Sequence, residues 1–151
     1  MKIIGLKGVI FDWGRTIHKA ETDAFFPETK EVLERCSQKY RLAIASICAT
    51  GNMTHRFELL EQAGLRRYFD FVLFDFRDKE VLIQDIINNW GIKNEEVAVI
   101  DDRIKRLTWP IRNHCKTIWL KKGKYASEAP DEDAGQPDVI ISSLEEILKL
   151  I

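Results

Sequence analysis

The sequence has little that would staple, anchor or attract it by simple means. Its 151 residues include only three cysteines, Cys36, Cys48 and Cys115, far apart and without a C-x-x-C pair. That excludes a disulfide framework or a zinc ribbon and points to a reducing, cytoplasmic setting. An excess of one charge is also missing, since 23 Lys plus Arg against 24 Asp plus Glu leave a net charge of −1. A polyanion-binding surface rests on clustered excess lysine and arginine, so nucleic acid is not an expected partner. No apolar run approaches the ~18–20 residues that span a bilayer, and no membrane partner is expected. Met1-Lys2-Ile3-Ile4-Gly5 lacks the apolar stretch and small-residue cleavage site of a signal peptide. What is present is 45% hydrophobic and 31% charged residues. At this length a domain buries roughly 68–70% of its unfolded surface. A single domain over residues 1–151 is therefore expected.

Short apolar runs alternate with stretches of helical period. Gly8-Val9-Ile10-Phe11 ends on Asp12, Leu42-Ala43-Ile44-Ala45 ends on Ser46, and Val97-Ala98-Val99-Ile100 ends on Asp101-Asp102. Phe71–Phe74, Thr117–Leu120 and Val139–Ile141 complete the set. The runs are continuous rather than alternating, as strands covered on both faces are. Between them lie amphipathic segments. One carries Val32, Leu33, Cys36 and Tyr40; the next carries Phe57, Leu60 and Ala63 before Gly64. Val81 to Trp90 precedes Gly91, and Ile104, Leu107 and Ile111 mark a shorter helix with Pro110 expected near its start or at a kink. A last segment opens with the capping-box spacing of Ser142 to Glu146. This alternation predicts an α/β fold, a three-layer Rossmannoid parallel sheet flanked by helices. The stretch from Lys121 to Pro137 is rich in charge, Gly and Pro, and a mobile solvated loop is expected there.

In an open parallel sheet, ligands bind beyond the carboxyl ends of the strands. Asp12, Ser46 and the Asp101-Asp102 pair all stop a strand at that edge. One carboxylate after four apolar residues suits an ordinary helix cap; several converging carboxylates repel unless a cation neutralises them. Hard oxygen ligands of this kind select Mg²⁺, which shares its shell with water and phosphate oxygens. Ser46 is placed to donate to such a phosphate, and Lys79, opening a helix, to supply it with charge.

Val9-Ile10-Phe11-Asp12-Trp13-Gly14-Arg15-Thr16-Ile17 resembles the first motif of the haloacid dehalogenase superfamily, an apolar strand followed by D-x-D-G-T-L. Ile44-Ala45-Ser46 resembles its second motif, Lys79 its third and Val99-Ile100-Asp101-Asp102 its acidic fourth. The order is right over most of the chain. The resemblance implies a phosphatase in which Asp12 is the nucleophile and passes through an aspartyl-phosphate. It further implies Mg²⁺ held by Asp12, the carbonyl of Gly14 and Asp102, with Asp101 as an alternate ligand. Ser46 and Lys79 would bind phosphoryl oxygens, with Arg15 and Thr16 beside them on the substrate side.

Three departures shape the expectation. The family's phosphatases carry a second aspartate two residues after the nucleophile, as general acid and base; here that residue is Gly14. Acid–base catalysis contributes ~10²–10⁴-fold, so a slow phosphatase, or one limited to good leaving groups, is expected. His18 is a candidate substitute, with a surface position the plainer reading. In the fourth motif, Arg106 and Leu107 stand where relatives have a further acid, and Arg103, Lys105 and Arg106 are expected along a solvated helix face. Finally, 33 residues lie between Asp12 and Ser46 and 32 between Ser46 and Lys79, too few for an inserted cap domain. The chain in this resembles the magnesium-dependent phosphatase branch, and a bulky or macromolecular phosphorylated substrate, or oligomerisation, would suit it. Two alternatives stay open: a binding module that kept the fold without turnover, and a 2-haloacid dehalogenase, which needs no proton donor for halide.

Overall fold

Gly8–Phe11 forms the first strand, β1, and all four of its residues are buried. In the computed structural model, which describes residues 2–151, the polypeptide then turns into a short antiparallel hairpin, β2 (His18–Lys19) and β3 (Ala24–Phe25). There follow α1 (Thr29–Ser37), β4 (Arg41–Ile47), α2 (Thr50–Gln62), β5 (Phe71–Asp75) and α3 (Lys79–Trp90). The second half holds β6 (Val97–Asp101), α4 (Thr108–Arg112), β7 (Lys116–Leu120) and β8 (Val139–Ile141). Six strands pair in the order β5-β4-β1-β6-β7-β8, every pair parallel. The α/β Rossmann-like sheet predicted from the sequence is thus the one observed.

The continuous apolar runs have a simple cause. Alternate residues of a strand point to opposite faces, and here both faces are covered. Val9, Phe11, Leu42, Ile44, Ala98 and Ile100 pack with Val32, Leu33 and Cys36 of α1 and with Leu60 of α2. Ile10, Ala43, Ala45, Val97 and Val99 pack on the other face with Leu82, Ile83, Ile86 and Trp90 of α3. Gly91, at φ 66°, closes α3 in the left-handed conformation that favours glycine.

Trp90 explains why β1 begins with glycine. A Cβ built on Gly8 would sit 2.4 Å from Cζ3 of Trp90, an indole that is 5% exposed and held by its Nε1–H bond to Asp70 Oδ2 at 3.1 Å. Gly8→Ala is expected to destabilise the fold by about 1–3 kcal/mol, the usual cost of overpacking, as read from urea denaturation. An unchanged midpoint would mean that Trp90 repacks freely.

Two local expectations are revised. The segment Ile104 to Ile111 is not one helix: a 3₁₀ turn covers Ile104–Leu107 and α4 starts only at Thr108. A helix running through would place Pro110, which has no N–H, in its interior; starting at Thr108 puts Pro110 in the first turn, where no donor is needed. At the other end the capping box forms, with Glu146 accepting the Ser143 N–H at 2.9 Å, but the turn behind it, Leu144–Lys149, is 3₁₀.

The order of the strands places the site. From β1 the chain moves outward through β4 and β5, then crosses back to β6 on the other side of β1. The crevice at that reversal lies beyond the ends of β1, β4 and β6. Among the described residues, no helix is long and apolar enough to cross a membrane.

Candidate active site

Asp12 is the first residue past β1, and its N–H still donates to the Ile100 carbonyl at 3.0 Å, so the sheet ladder fixes its backbone. Lys79, the first residue of α3, donates through Nζ to Asp12 Oδ1 at 2.8 Å and also to Asp101 Oδ2. The lysine is 5% exposed and Asp101 is fully buried. Asp101 has no free oxygen, since its Oδ1 accepts the Arg103 N–H at 2.9 Å. Asp102 differs: it is 2% exposed, and its Oδ2 is buried without a partner. Ligand oxygens of Asp12, Asp101 and Asp102 all lie within 4.8 Å of one another.

These positions set the electrostatics. Burial alone would lower the Lys79 ammonium, but Asp101 and Asp12 outweigh it and hold it above the ordinary lysine value. Asp101 is pushed up to about 6, first by burial and then by the Asp12 charge, against the pull of Lys79. Asp102 is pushed up to about 8 by burial, then by Asp101 and Asp12. An unpartnered buried carboxylate oxygen facing two other acids is the arrangement a divalent cation relieves. Asp12 and Asp102 are the side chains able to hold one; Asp101 is already engaged on both oxygens.

A pH dependence follows. In the folded, metal-free protein Asp102 keeps its proton to a higher pH than it does in the unfolded chain. The folded state then binds more protons between about pH 4 and pH 8, so stability falls as pH rises through that window. Asp101 acts in the same direction up to about pH 6. In EDTA, the unfolding free energy is expected to drop by on the order of 3 kcal/mol from pH 5 to pH 8. Asp102→Asn should flatten most of that decline; a slope equal to the wild type's would show that Asp102 is not its source.

A cavity of about 170 Å³ opens over these groups, lined by Asp12, Gly14, Ser46, Lys79, Asp101 and Asp102 together with Arg15, Arg56, Arg103, Arg106 and Tyr125. Ser46 lies one residue before the end of β4 and is 4% exposed. Its Oγ accepts a hydrogen bond from Arg56 Nη1 at 3.2 Å. Gly14 lines the cavity, and a Cβ there would meet nothing within 4 Å. Tyr125, from the expected mobile loop, stands at the rim with the Arg103 guanidinium 4.2 Å and that of Arg15 5.6 Å from its ring centre. Arg103 also donates to Glu128 Oε2 at 3.1 Å, which fastens the segment beside the site.

Asp12, Gly14, Arg15, Ser46, Lys79, Asp101 and Asp102 thus come together, but three expectations need correction. Thr16 is fully buried and does not line the cavity; its hydroxyl has no partner. His18 is not a surface residue: it is 6% exposed, stacked on Trp13 at 5.0 Å and hydrogen-bonded to Asp23 at 3.0 Å. Burial lowers its pKa, and it lies outside the cavity lining, so it replaces no proton shuttle. Arg103 and Arg106 do not merely follow a solvated face. Arg103, extended just ahead of the Ile104–Leu107 turn, and Arg106 within that turn both line the cavity, while Lys105 is exposed as expected. Arg56 gave no signal in the sequence, because the residues around it, Gly51 to Arg56, show no apolar period.

No family model matches the chain, and no curated protein does. Solved structures do. An uncharacterized protein from Listeria monocytogenes serotype 4b superposes with a TM-score of 0.79 at 19% identity, over 95% of this chain and 96% of that one. L-2-haloacid dehalogenase from Xanthobacter autotrophicus gives 0.77 at 11% identity, over 95% and 97%. A hydrolase of the haloacid dehalogenase-like family from Streptococcus pneumoniae gives 0.74 at 13% identity, over 96% and 98%. At these identities the likeness speaks for the fold, and it agrees with the motifs in order and place: the chain has the fold of the haloacid dehalogenase-like hydrolases.

Proposed function

We propose that the chain is a magnesium-dependent phosphohydrolase that works through an aspartyl-phosphate on Asp12. The observation that carries this reading is the pairing of Asp12 with buried Lys79 at the floor of a cavity ringed by cations, beside an unpartnered Asp102. Lys79 holds Oδ1 of Asp12 at 2.8 Å, which keeps the carboxylate turned for attack. Asp12 attacks phosphorus, the bond to the leaving oxygen breaks, and water later cleaves the aspartyl-phosphate. Ser46, Arg56 and Arg15 lie where phosphoryl oxygens would be received, and positioning with charge neutralisation does most of such catalysis. Mg²⁺, bound by Asp12, Asp102 and the Gly14 carbonyl, would supply charge neutralisation for the phosphoryl oxygens.

With Gly14 in the acid–base position, the leaving oxygen must depart without a proton from the protein. Acyl and aryl phosphates are therefore the expected substrates. Arg15, Arg56, Arg103, Arg106 and Tyr125 surround the opening, and among the described residues no inserted domain stands over it, which suits a phosphoryl group on a bulky molecule. The cationic lining disfavours a dehalogenase, whose halide and alkyl group need an apolar pocket. Gly14 does favour a second reading, a binding module without turnover.

Covalent trapping separates the two. After incubation with radiolabelled acetyl phosphate and Mg²⁺ and an acid quench, the label is expected on the Asp12 peptide, to be released by hydroxylamine, and to be absent from Asp12→Asn. Wild-type protein that binds phosphate yet neither takes up label nor releases p-nitrophenol from its phosphate would be a binding module.

A further inference from the structure

Arg56 reaches the cavity from α2, an element that carries none of the four motifs. Its guanidinium carbon lies 5.2 Å from the ring centres of both Trp13 and Phe74. Both rings are buried. Its one hydrogen bond to the protein among the described residues is that to Ser46 Oγ, and no carboxylate lies within ion-pair reach of it. A guanidinium has five donors in a rigid fork. Stacking on two rings fixes the fork, Ser46 takes one donor, and the others are left over at the wall of a cavity whose floor is Asp12. Packing does not explain a half-buried cation with no carboxylate in contact: burial disfavours its charged form, and Cys48 and Asp12 offset this only from a distance. An arriving anion does explain it.

Resting on the phosphohydrolase reading, we propose that Arg56 is a substrate-contacting residue: its fork, seated on Ser46 and braced by Trp13 and Phe74, grips the phosphoryl group from the β4 side while Lys79 holds Asp12 from the α3 side. The site is then built for a dianionic phosphoryl group. Lysine cannot replace Arg56, because an ammonium offers neither the planar fork nor the stack.

Two measurements test this with inorganic phosphate as the probe. By calorimetry in Mg²⁺, phosphate affinity is expected to fall roughly 10–100-fold in both Arg56→Lys and Arg56→Gln, the size of lost charge-assisted hydrogen bonds. In the wild-type protein, which needs no variant to fold, phosphate is expected to protect Arg56 from phenylglyoxal, scored by peptide mass against the exposed Arg35. Unchanged affinity in Arg56→Lys, or Arg56 modified equally with and without phosphate, overturns the proposal. If that happens while Asp12 still takes up label, the phosphohydrolase reading stands without Arg56. If Arg56 is protected but Asp12 never takes up label, the anion seat stands and the phosphohydrolase reading falls.

Discussion

Lys79→Met is expected to destabilise the protein by about 3–5 kcal/mol at pH 7 in EDTA, the cost of leaving buried charge without its partner. Nζ of Lys79 is the group that holds Asp12 and Asp101 together, and both the lysine and Asp101 are buried. Removing the ammonium leaves one buried carboxylate with only the Arg103 N–H and another facing it across the cavity floor. The loss should shrink toward pH 5, because protonated acids no longer repel. Adding Asp101→Asn to Lys79→Met should recover part of it, since the orphaned charge is then gone. Equilibrium urea unfolding of wild type, Lys79→Met and the double variant, in EDTA at pH 5, pH 7 and pH 8, measures all of this. A Lys79→Met protein as stable as wild type at pH 8 would mean that water reaches the triad and screens it.

How much of this site was legible depends on what each residue announces. Asp12, Asp101 and Asp102 interrupt apolar runs that can only be strands, so a parallel sheet sets them at one edge before any coordinate is known. Ser46 follows the same rule, although β4 continues one residue past it. Lys79 was readable only by its place at a helix start and by resemblance; nothing in the sequence says that it is buried. Arg56 was silent for a different reason. Its importance comes from where α2 lies over the ends of β4 and β5, and from Trp13 and Phe74, residues distant in sequence that meet under it. Burial of His18 has the same origin, since Trp13 stacks on a residue that reads as polar. Local pattern fixes the edge of a sheet; the side chains that lean over that edge depend on tertiary packing.

Gly14→Asp is expected to raise turnover of alkyl phosphates by about 10²–10⁴-fold, the usual contribution of a positioned acid–base group. The position lines the cavity, its backbone is outside the left-handed region, and a Cβ there meets no atom within 4 Å. A carboxyl group can therefore enter without moving the fold. Resemblance places the family's general acid two residues after the nucleophile, and Gly14 stands there relative to Asp12. The gain should depend on the leaving group: large for an alkyl phosphate, which departs poorly as an alkoxide, and small for acetyl phosphate, which needs no proton. Activity on the alkyl ester should also fall as pH rises through the new carboxyl's pKa, because the departing oxygen requires the protonated form. That pH limb should be absent from the wild type. The decisive comparison is kcat for the two substrates in both proteins. An equal gain on both would show that the new carboxylate acts on the shared hydrolysis of the aspartyl-phosphate, or on metal or phosphate binding, rather than as acid to the leaving oxygen. No change on either, with Asp12 still taking up label, would place the slow step after phosphoryl transfer to Asp12.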